Sequence, residues 1–317
     1  MEKQNKFVKD MTKGNPMQLL IQFSLPLLVG NIFQQLYNMV DSIIVGNFVG
    51  ANALGAIGTT NSLNFFFFSL VAGLSVGIGI IVAQYFGFGD EEKVKDAIGN
   101  SIWIITICSV IMAIIGFVTA RPILVLLDTD PVILNDAVAY LKVVSIGIVC
   151  VGFYNGVSGI LRALGDSKTP LIFLIVASVL NVILDLIFVL SFGWGVVGAG
   201  VATAFSQLIS ALACIIYAYK SNTYFKLKKK NIKLNGNIIK KSCKLGIPVA
   251  LQNSLIAFSL IVLQKVVNGY GATFTTAFTV VSRIETLVQQ PFKHTQGRIL
   301  APGLKTELEK DLILQHW

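Results

Sequence analysis

Charge is what this sequence has least of. Only 13% of its 317 residues are Asp, Glu, Lys or Arg, against about a quarter in an average soluble domain. A mean hydropathy of +0.74 agrees, and together these exclude a large water-solvated domain. Histidine is nearly missing too: His294 and His316 both fall in the last 25 positions, so the body of the chain lacks the commonest general base and metal ligand. The four cysteines, Cys108, Cys150, Cys214 and Cys243, show no paired spacing, which argues against a disulfide framework or a CxxC metal site. There is no HExxH, no Walker loop and no aspartate-rich cluster for pyrophosphate. Gly193-Trp194-Gly195-Val196-Val197-Gly198 matches GxGxxG in letters but sits between two apolar runs, so it reads as a short outer turn. Gly156-Val157-Ser158-Gly159 is no full nucleophile elbow and has no histidine nearby to act as base. The expectation is a membrane protein that is not an enzyme and carries no cofactor.

What is there in quantity is long apolar sequence. Between charges the runs fall at about 17–46, 54–86, 98–120, 137–160, 170–191, 195–219, 245–268 and 272–292, each long enough for a spanning helix of roughly 20 residues. Eight helices are predicted, the first holding Pro26, whose lost hydrogen bond neighbouring helices must compensate. Lys3, Lys6, Lys9 and Lys13 precede a run too long and too polar to be the core of a cleaved signal peptide.

The basic residues are distributed unevenly. With the N-terminus cytoplasmic, the inner segments collect those four lysines, Lys93 and Lys95, Arg162 and Lys168, and nine lysines between Lys220 and Lys244, while the outer segments hold Arg121 and Lys142. This asymmetry predicts a multi-pass protein of the inner (plasma) membrane with a cytoplasmic N-terminus. It accounts for the net charge of +9 without nucleic acid. Residues 220–244 read as a solvated cytoplasmic linker near anionic lipid.

Past that linker the pattern restarts. Ile247-Pro248-Val249-Ala250-Leu251-Gln252-Asn253 parallels Leu25-Pro26-Leu27-Leu28-Val29-Gly30-Asn31, and Val267-Asn268-Gly269-Tyr270-Gly271-Ala272 parallels Val45-Gly46-Asn47-Phe48-Val49-Gly50-Ala51. Six helices, a basic linker and a restart is the layout of a transporter built from two parallel repeats. The predicted organisation is a six-helix lobe at 1–219, the linker at 220–244, the first two helices of a second lobe at 245–292, and a tail at 293–317. The tail's charge does not fit a spanning helix. Back-translated in another frame, it yields a Gln-x-x-Gly-x-Gly pattern followed by basic residues, as at Gln84-Tyr85-Phe86-Gly87-Phe88-Gly89 with Lys93 and Lys95. A frame-shifted tail is the expectation, and an ordinary amphiphilic tail the alternative.

Ionisable groups inside spans cost about 2.5–3.5 kcal/mol each on insertion scales and mark function. In the first helix Asn31, Gln34, Gln35, Asn38, Asp41 and Ser42 recur at three- and four-residue spacing and form one polar stripe, which must face protein or a water-filled cavity. Gln34 and Asn38 are therefore candidate cavity-lining residues. Asn181 and Asp185 share a face of the fifth helix. The alternating directions of the helices put Asp41, Asp185, Thr203 and Tyr140 at one depth. Two carboxylates held together in low dielectric do not both stay ionised unless a cation is bound, which suits a site for H⁺ or Na⁺ with Asn181 and Thr203 as neutral oxygen donors. Asp166 reads as a helix cap paired with Arg162, Gly73 to Gly77 as a close helix contact, and Lys265 and Glu285 as candidates to pair.

These residues resemble the multidrug and toxic compound extrusion (MATE) transporters of the bacterial branch. The resemblance covers about 10–292. It rests on Val40-Asp41-Ser42-Ile43-Ile44-Val45-Gly46, on Ala83-Gln84 with Gly87, on Leu161-Arg162-Ala163-Leu164-Gly165-Asp166-Ser167-Lys168-Thr169-Pro170, on Asn181-Val182-Ile183-Leu184-Asp185, and on Gly195-Val196-Val197-Gly198-Ala199-Gly200-Val201-Ala202-Thr203. It implies an all-α polytopic fold with a complete N-lobe and a C-terminally truncated second lobe. It also implies export of small organic cations or amphiphiles against Na⁺ or H⁺, a monomer in membrane lipid, and a cation site at Asp41, Asn181, Asp185 and Thr203 with Tyr140 nearby. The acidic residue that some members carry in the seventh helix is missing, that span holding only Gln252 and Gln264 as long polar side chains apart from Lys265. Alternating access needs two lobes, so the alternatives are a lipid-linked precursor flippase of the same superfamily and a non-transporting membrane remnant.

Overall fold

The computed structural model describes residues 16–286, with side chains from position 25 onward apart from position 27. Among these residues there is no strand. The helices are α1 (Pro16–Phe48), α2 (Ala51–Gly87), α3 (Glu91–Leu126), α4 (Pro131–Ala163), α5 (Lys168–Asp185, continued by a π-helical turn Leu186–Ser191), α6 (Gly195–Ser221) and α7 (Gly236–Asn268). A further helix, α8, occupies 272–286 at the edge of the described residues. Each coincides with a predicted apolar run. Six of them, α2 to α7, are long and apolar enough to cross a membrane by length and composition. The tail at 293–317 lies outside the described residues.

Polar capping carries several helices beyond their apolar runs. Asp90 accepts from the Lys93 amide at 3.0 Å and starts α3, with Glu91 and Glu92 in the first turn where the helix dipole favours them. Asp130 accepts from the Val132 amide at 2.9 Å, and Pro131 opens α4. Asp166 accepts from both the amide and the hydroxyl of Thr169, at 3.0 and 2.6 Å, and anchors the start of α5 as predicted. On α3 the apolar side chains Ile107, Ile114 and Val118 are 53%, 59% and 68% exposed. They form an outward stripe of the kind lipid covers.

The tightest seam joins α2 to α7. A side chain at Gly73 would strike the Ala250 backbone, and one at Gly77 the backbone of Ser242 and Gly246. Ser69 and Ser254 hydroxyls bond at 3.0 Å, and Thr59 donates to Asn268 at 3.4 Å. Small residues thus let two backbones approach along nearly the whole length of α2, the packing expected of the Gly73 to Gly77 spacing. The seam continues in α8, where Thr276 and Thr279 lie over Gly55 and Gly58.

Both ends of the seam are tied. At one end, Asp130 uses its second oxygen to accept from the Ala272 amide at 3.0 Å, so one carboxylate caps both α4 and α8. Asn268 donates to the Leu127 carbonyl at 3.0 Å, and Lys265 reaches the Leu126 carbonyl at 2.9 Å and Asp128 at 3.2 Å. The anticipated Lys265–Glu285 pair is therefore replaced by Lys265–Asp128. Lys265 stands beside the start of α8, and thirteen residues of helix carry Glu285 about 20 Å further along.

At the other end the lysine-rich connection keeps its lysines exposed and is also held to the bundle. α7 begins at Gly236, ahead of the apolar run at 245, because Asn235 accepts from the Asn237 and Ile238 amides at 3.1 and 3.4 Å. The remaining segment, 222–235, is strapped to α3. Asn231 is buried and donates to Asp96 at 2.7 Å, the Asn235 amide donates to Asn100 at 2.8 Å, and the Trp103 indole donates to the Ile232 carbonyl at 2.8 Å. Lys230 pairs with Glu92, which holds that exposed carboxyl below its usual range.

Gly77→Leu should wedge α7 off α2 and cost about 1–3 kcal/mol. It should appear as a lower thermal unfolding midpoint in detergent, whereas Gly87→Ala, where an added methyl meets nothing, should leave the midpoint in place.

Candidate functional site

The polar stripe of α1 points inward. Ile32, Phe33, Leu36 and Ile43 are exposed on its other side, while Asp41 and Ser42 are buried and Asn31, Gln34, Gln35 and Asn38 are half-buried. α1 leans chiefly on α5, and Gly30 lets it approach, since a methyl there would meet Leu171 and Leu174 at 3.2 and 3.3 Å. The side chains of Asp41 of α1 and Asp185 of α5 lie close enough to interact directly. They are 5% and 0% exposed.

Around this pair stand the other predicted residues. Asn181 is buried one turn before Asp185 and donates to the Thr203 hydroxyl of α6 at 3.4 Å. Thr203 itself is half-buried. Tyr140 of α4 is buried and within electrostatic reach of both carboxylates. Beside it Gly200 lets α6 approach α4, since an added Cβ there would meet Val143 at 3.1 Å and the Tyr140 ring only at an ordinary 3.5 Å. Gln34 lies beside the Tyr37 hydroxyl. Asn38 uses its backbone carbonyl to accept from Ser42 at 2.8 Å. The structure thus brings Asp41, Asn181, Asp185, Thr203 and Tyr140 to one level, with Gln34 on the same face of α1.

The chemistry of the cluster lies in its oxygens. Asp41 Oδ1, both oxygens of Asp185, Asn181 Oδ1 and Gln207 Oε1 are buried with no hydrogen-bond donor. Buried polar atoms are almost always satisfied, and carboxylate and carbonyl oxygens are what a hard cation prefers. Two ionised carboxylates also repel, by about 4 kcal/mol at roughly 4 Å in an effective dielectric of about 20. One proton shared between them, or one monovalent cation held by the cluster, relieves both problems. No group of three or more His, Cys, Asp or Glu suited to a multivalent metal occurs among the described residues.

Several contributors went unnamed as site residues. Tyr37 precedes Asp41 by four and lies near Gln34, Gln207 and Asp41. Gln207 follows Thr203 by four, so the spacing rule that found the others reaches these two as well. The π-helical turn immediately after Asp185 has no sequence signature here, although such turns recur at functional sites. Asn61 and Arg283 enter from α2 and α8, with Arg283 Nη2 donating to Asn61 at 3.2 Å.

The MatE family model matches residues 26–187, the stretch that supplies Asp41, Tyr140, Asn181 and Asp185. The chain belongs to the MatE family. It is 33% identical over 283 residues to the probable multidrug resistance protein YpnP of Bacillus subtilis, covering 89% of this chain and 63% of YpnP. To the multidrug export protein MepA of Staphylococcus aureus it is 26% identical over 284 residues, covering 87% of this chain and 62% of MepA. The fold superposes on the solved structure of the MATE multidrug transporter DinF-BH with a TM-score of 0.84 and 25% identity over 93% of this chain and 66% of that one. The chain therefore spans a little under two thirds of the length of these curated relatives. Solved MATE relatives are described as transporters.

Asp185→Asn should stabilise the purified chain in Na⁺-free detergent near pH 7, because an amide donates to Asp41 without the proton that the two carboxyls must otherwise take up and share. A rise in unfolding free energy of about 1 kcal/mol is expected from chemical or thermal denaturation, the reverse of an ordinary core substitution.

Proposed function

We propose that this MatE chain carries the coupling-cation site of an exporter of small organic cations or amphiphiles, driven by inward movement of H⁺ or Na⁺. One observation carries the reading: Asp41 and Asp185 lie side by side, deeply buried, with acceptor oxygens that no protein donor satisfies and that a proton or a cation would. A resting structure has little use for such a pair, because replacing one acid by its amide removes the conflict. An ion-driven transporter needs it, since the site must hold a cation well enough to capture it and loosely enough to release it on the other side. The relatives' names, a multidrug resistance protein and a multidrug export protein, support the substrate class.

In this reading residues 1–219 form the lobe that holds the cation, and α7 and α8 belong to the second lobe, against which it rocks. The basic end of the bundle faces the cytoplasm of a bacterial cell, by the charge asymmetry of its loops, and the protein works as a monomer in the plasma membrane.

Cells loaded with a cationic rhodamine dye and expressing this chain should lose the dye faster than cells with an empty vector. Asp41→Asn and Asp185→Asn should each cut the rate by at least about tenfold, the loss expected when a transport step needs the removed charge. Efflux that survives both substitutions, or that ignores the Na⁺ and pH gradients, would contradict the site assignment.

A further inference from the structure

Arg283 is the cationic group of α8 that reaches towards the carboxylates. It is half-buried, its Nη2 donates to Asn61 of α2 at 3.2 Å, and its Nε is buried without an acceptor. An arginine is charged at every accessible pH and costly to desolvate unless it is paired. Among the described residues its hydrogen bond goes to a neutral amide, which leaves its charge without a carboxylate partner there. Across the site Asp41 Oδ1 is a buried acceptor lacking a donor, and the guanidinium lies within electrostatic reach of Asp41, Tyr37 and Tyr140. Asn61 lies one turn beyond Ile57, which packs with Ile44 and Val45 of α1 and with Tyr140, so a half-buried cation with an unpaired Nε and a buried carboxylate with an unpaired oxygen stand on adjoining helix turns, from different halves of the chain.

We infer that Arg283 is the built-in counter-cation of the Asp41–Asp185 site, a positioning residue that competes with the coupling ion for the same negative charge. When a proton or Na⁺ neutralises the carboxylates, the pull on the guanidinium falls and α8 is freed to move. When the ion leaves, Arg283 is drawn back and the two halves close. Ion occupancy is thereby converted into the position of a helix through a difference in Coulomb energy between two states, which is what linkage requires. Asn61 supplies the pivot, holding one nitrogen of the fork at the edge of the site while the remainder responds to charge. This inference deepens the carboxylate-site reading proposed above and rests on it.

The test reads charge at Asp41 directly. A hydrophobic carbodiimide modifies carboxyl groups only while they are protonated, and mass spectrometry reports labelling at Asp41 and Asp185 separately. The charged and titratable groups facing the pair are Tyr37, Tyr140 and Arg283, and the tyrosines stay neutral from about pH 6 to about pH 9, leaving Arg283 as the variable. Over that range Arg283→Gln should raise the labelling rate at Asp41 by about tenfold, the effect of removing one nearby cation from a site of intermediate dielectric. Arg283→Lys, which keeps the charge, should stay within about twofold of the unaltered chain, so a mere packing role for the side chain would not reproduce the pattern. Na⁺ should protect Asp41 at lower concentration in Arg283→Gln than in the unaltered chain. Labelling and Na⁺ protection unchanged by Arg283→Gln would overturn the role of Arg283 and leave the carboxylate site standing. Failure of both aspartates to label at any pH, with no Na⁺ binding, would overturn the site and Arg283 together.

Discussion

Two acidic side chains held in contact away from water impose the constraint from which the rest of this structure follows. Asp41 and Asp185 repel when both are ionised, and their buried oxygens then lack donors, so their proximity has to be enforced by the surrounding helices. α1 supplies a polar stripe with Asp41 at its far end, and α5 supplies Asn181 and Asp185 on one face. The approach of α1 to α5 at Gly30, and of α6 to α4 at Gly200, brings together the helices that carry the cluster. Low dielectric makes every charge in such an enclosure count for more, which suits a site whose occupancy must alter the fold around it.

That sensitivity has effect only if a second body feels the charge. The α2–α7 seam, built on Gly73 and Gly77 of α2 against Ser242, Gly246 and Ala250 of α7, keeps the later helices in register with the earlier ones. Its ends are fastened differently. One is tied by Asp130 capping two helices and by Lys265 on Asp128, the other by the segment 222–235 lying along the start of α3. The ties combine exposed groups, such as Lys265, with buried ones, such as Asn231. Along the seam itself the Ser69–Ser254 and Thr59–Asn268 hydrogen bonds add to the close packing.

Most of the fold was legible in the sequence because membrane helices obey a simple rule: an apolar run of sufficient length with satisfied backbone. The eight predicted runs are all helical where described. Their ends were less legible, since α3 and α7 continue past the apolar residues on caps made by Asp90 and Asn235. The site was legible for the same reason, as an acid in an apolar run is conspicuous and four-residue spacing fixes its face, and Tyr37 and Gln207 yield to the same rule once it is applied to every polar side chain. What periodicity cannot give is contact between distant helices. That Lys265 meets Asp128 and not Glu285, that Arg283 faces Asn61, and that the lysine-rich connection is pinned by Asn231 to Asp96 all depend on how α7 and α8 lie against α2 and α3. The relation between pairing partners is set by three-dimensional packing, and a single sequence carries no record of it.

Counting the cations bound by the purified chain tests the central claim most directly. Equilibrium binding of radioactive Na⁺, with proton uptake or release followed in the same weakly buffered sample near pH 7, measures how the Asp41–Asp185 pair is neutralised. The account predicts about one cation per chain, either Na⁺ or a proton that Na⁺ displaces, lost in the Asp41→Asn, Asp185→Asn double variant. Two ionised carboxylates with neither Na⁺ nor a bound proton, or a binding stoichiometry indifferent to both substitutions, would contradict it.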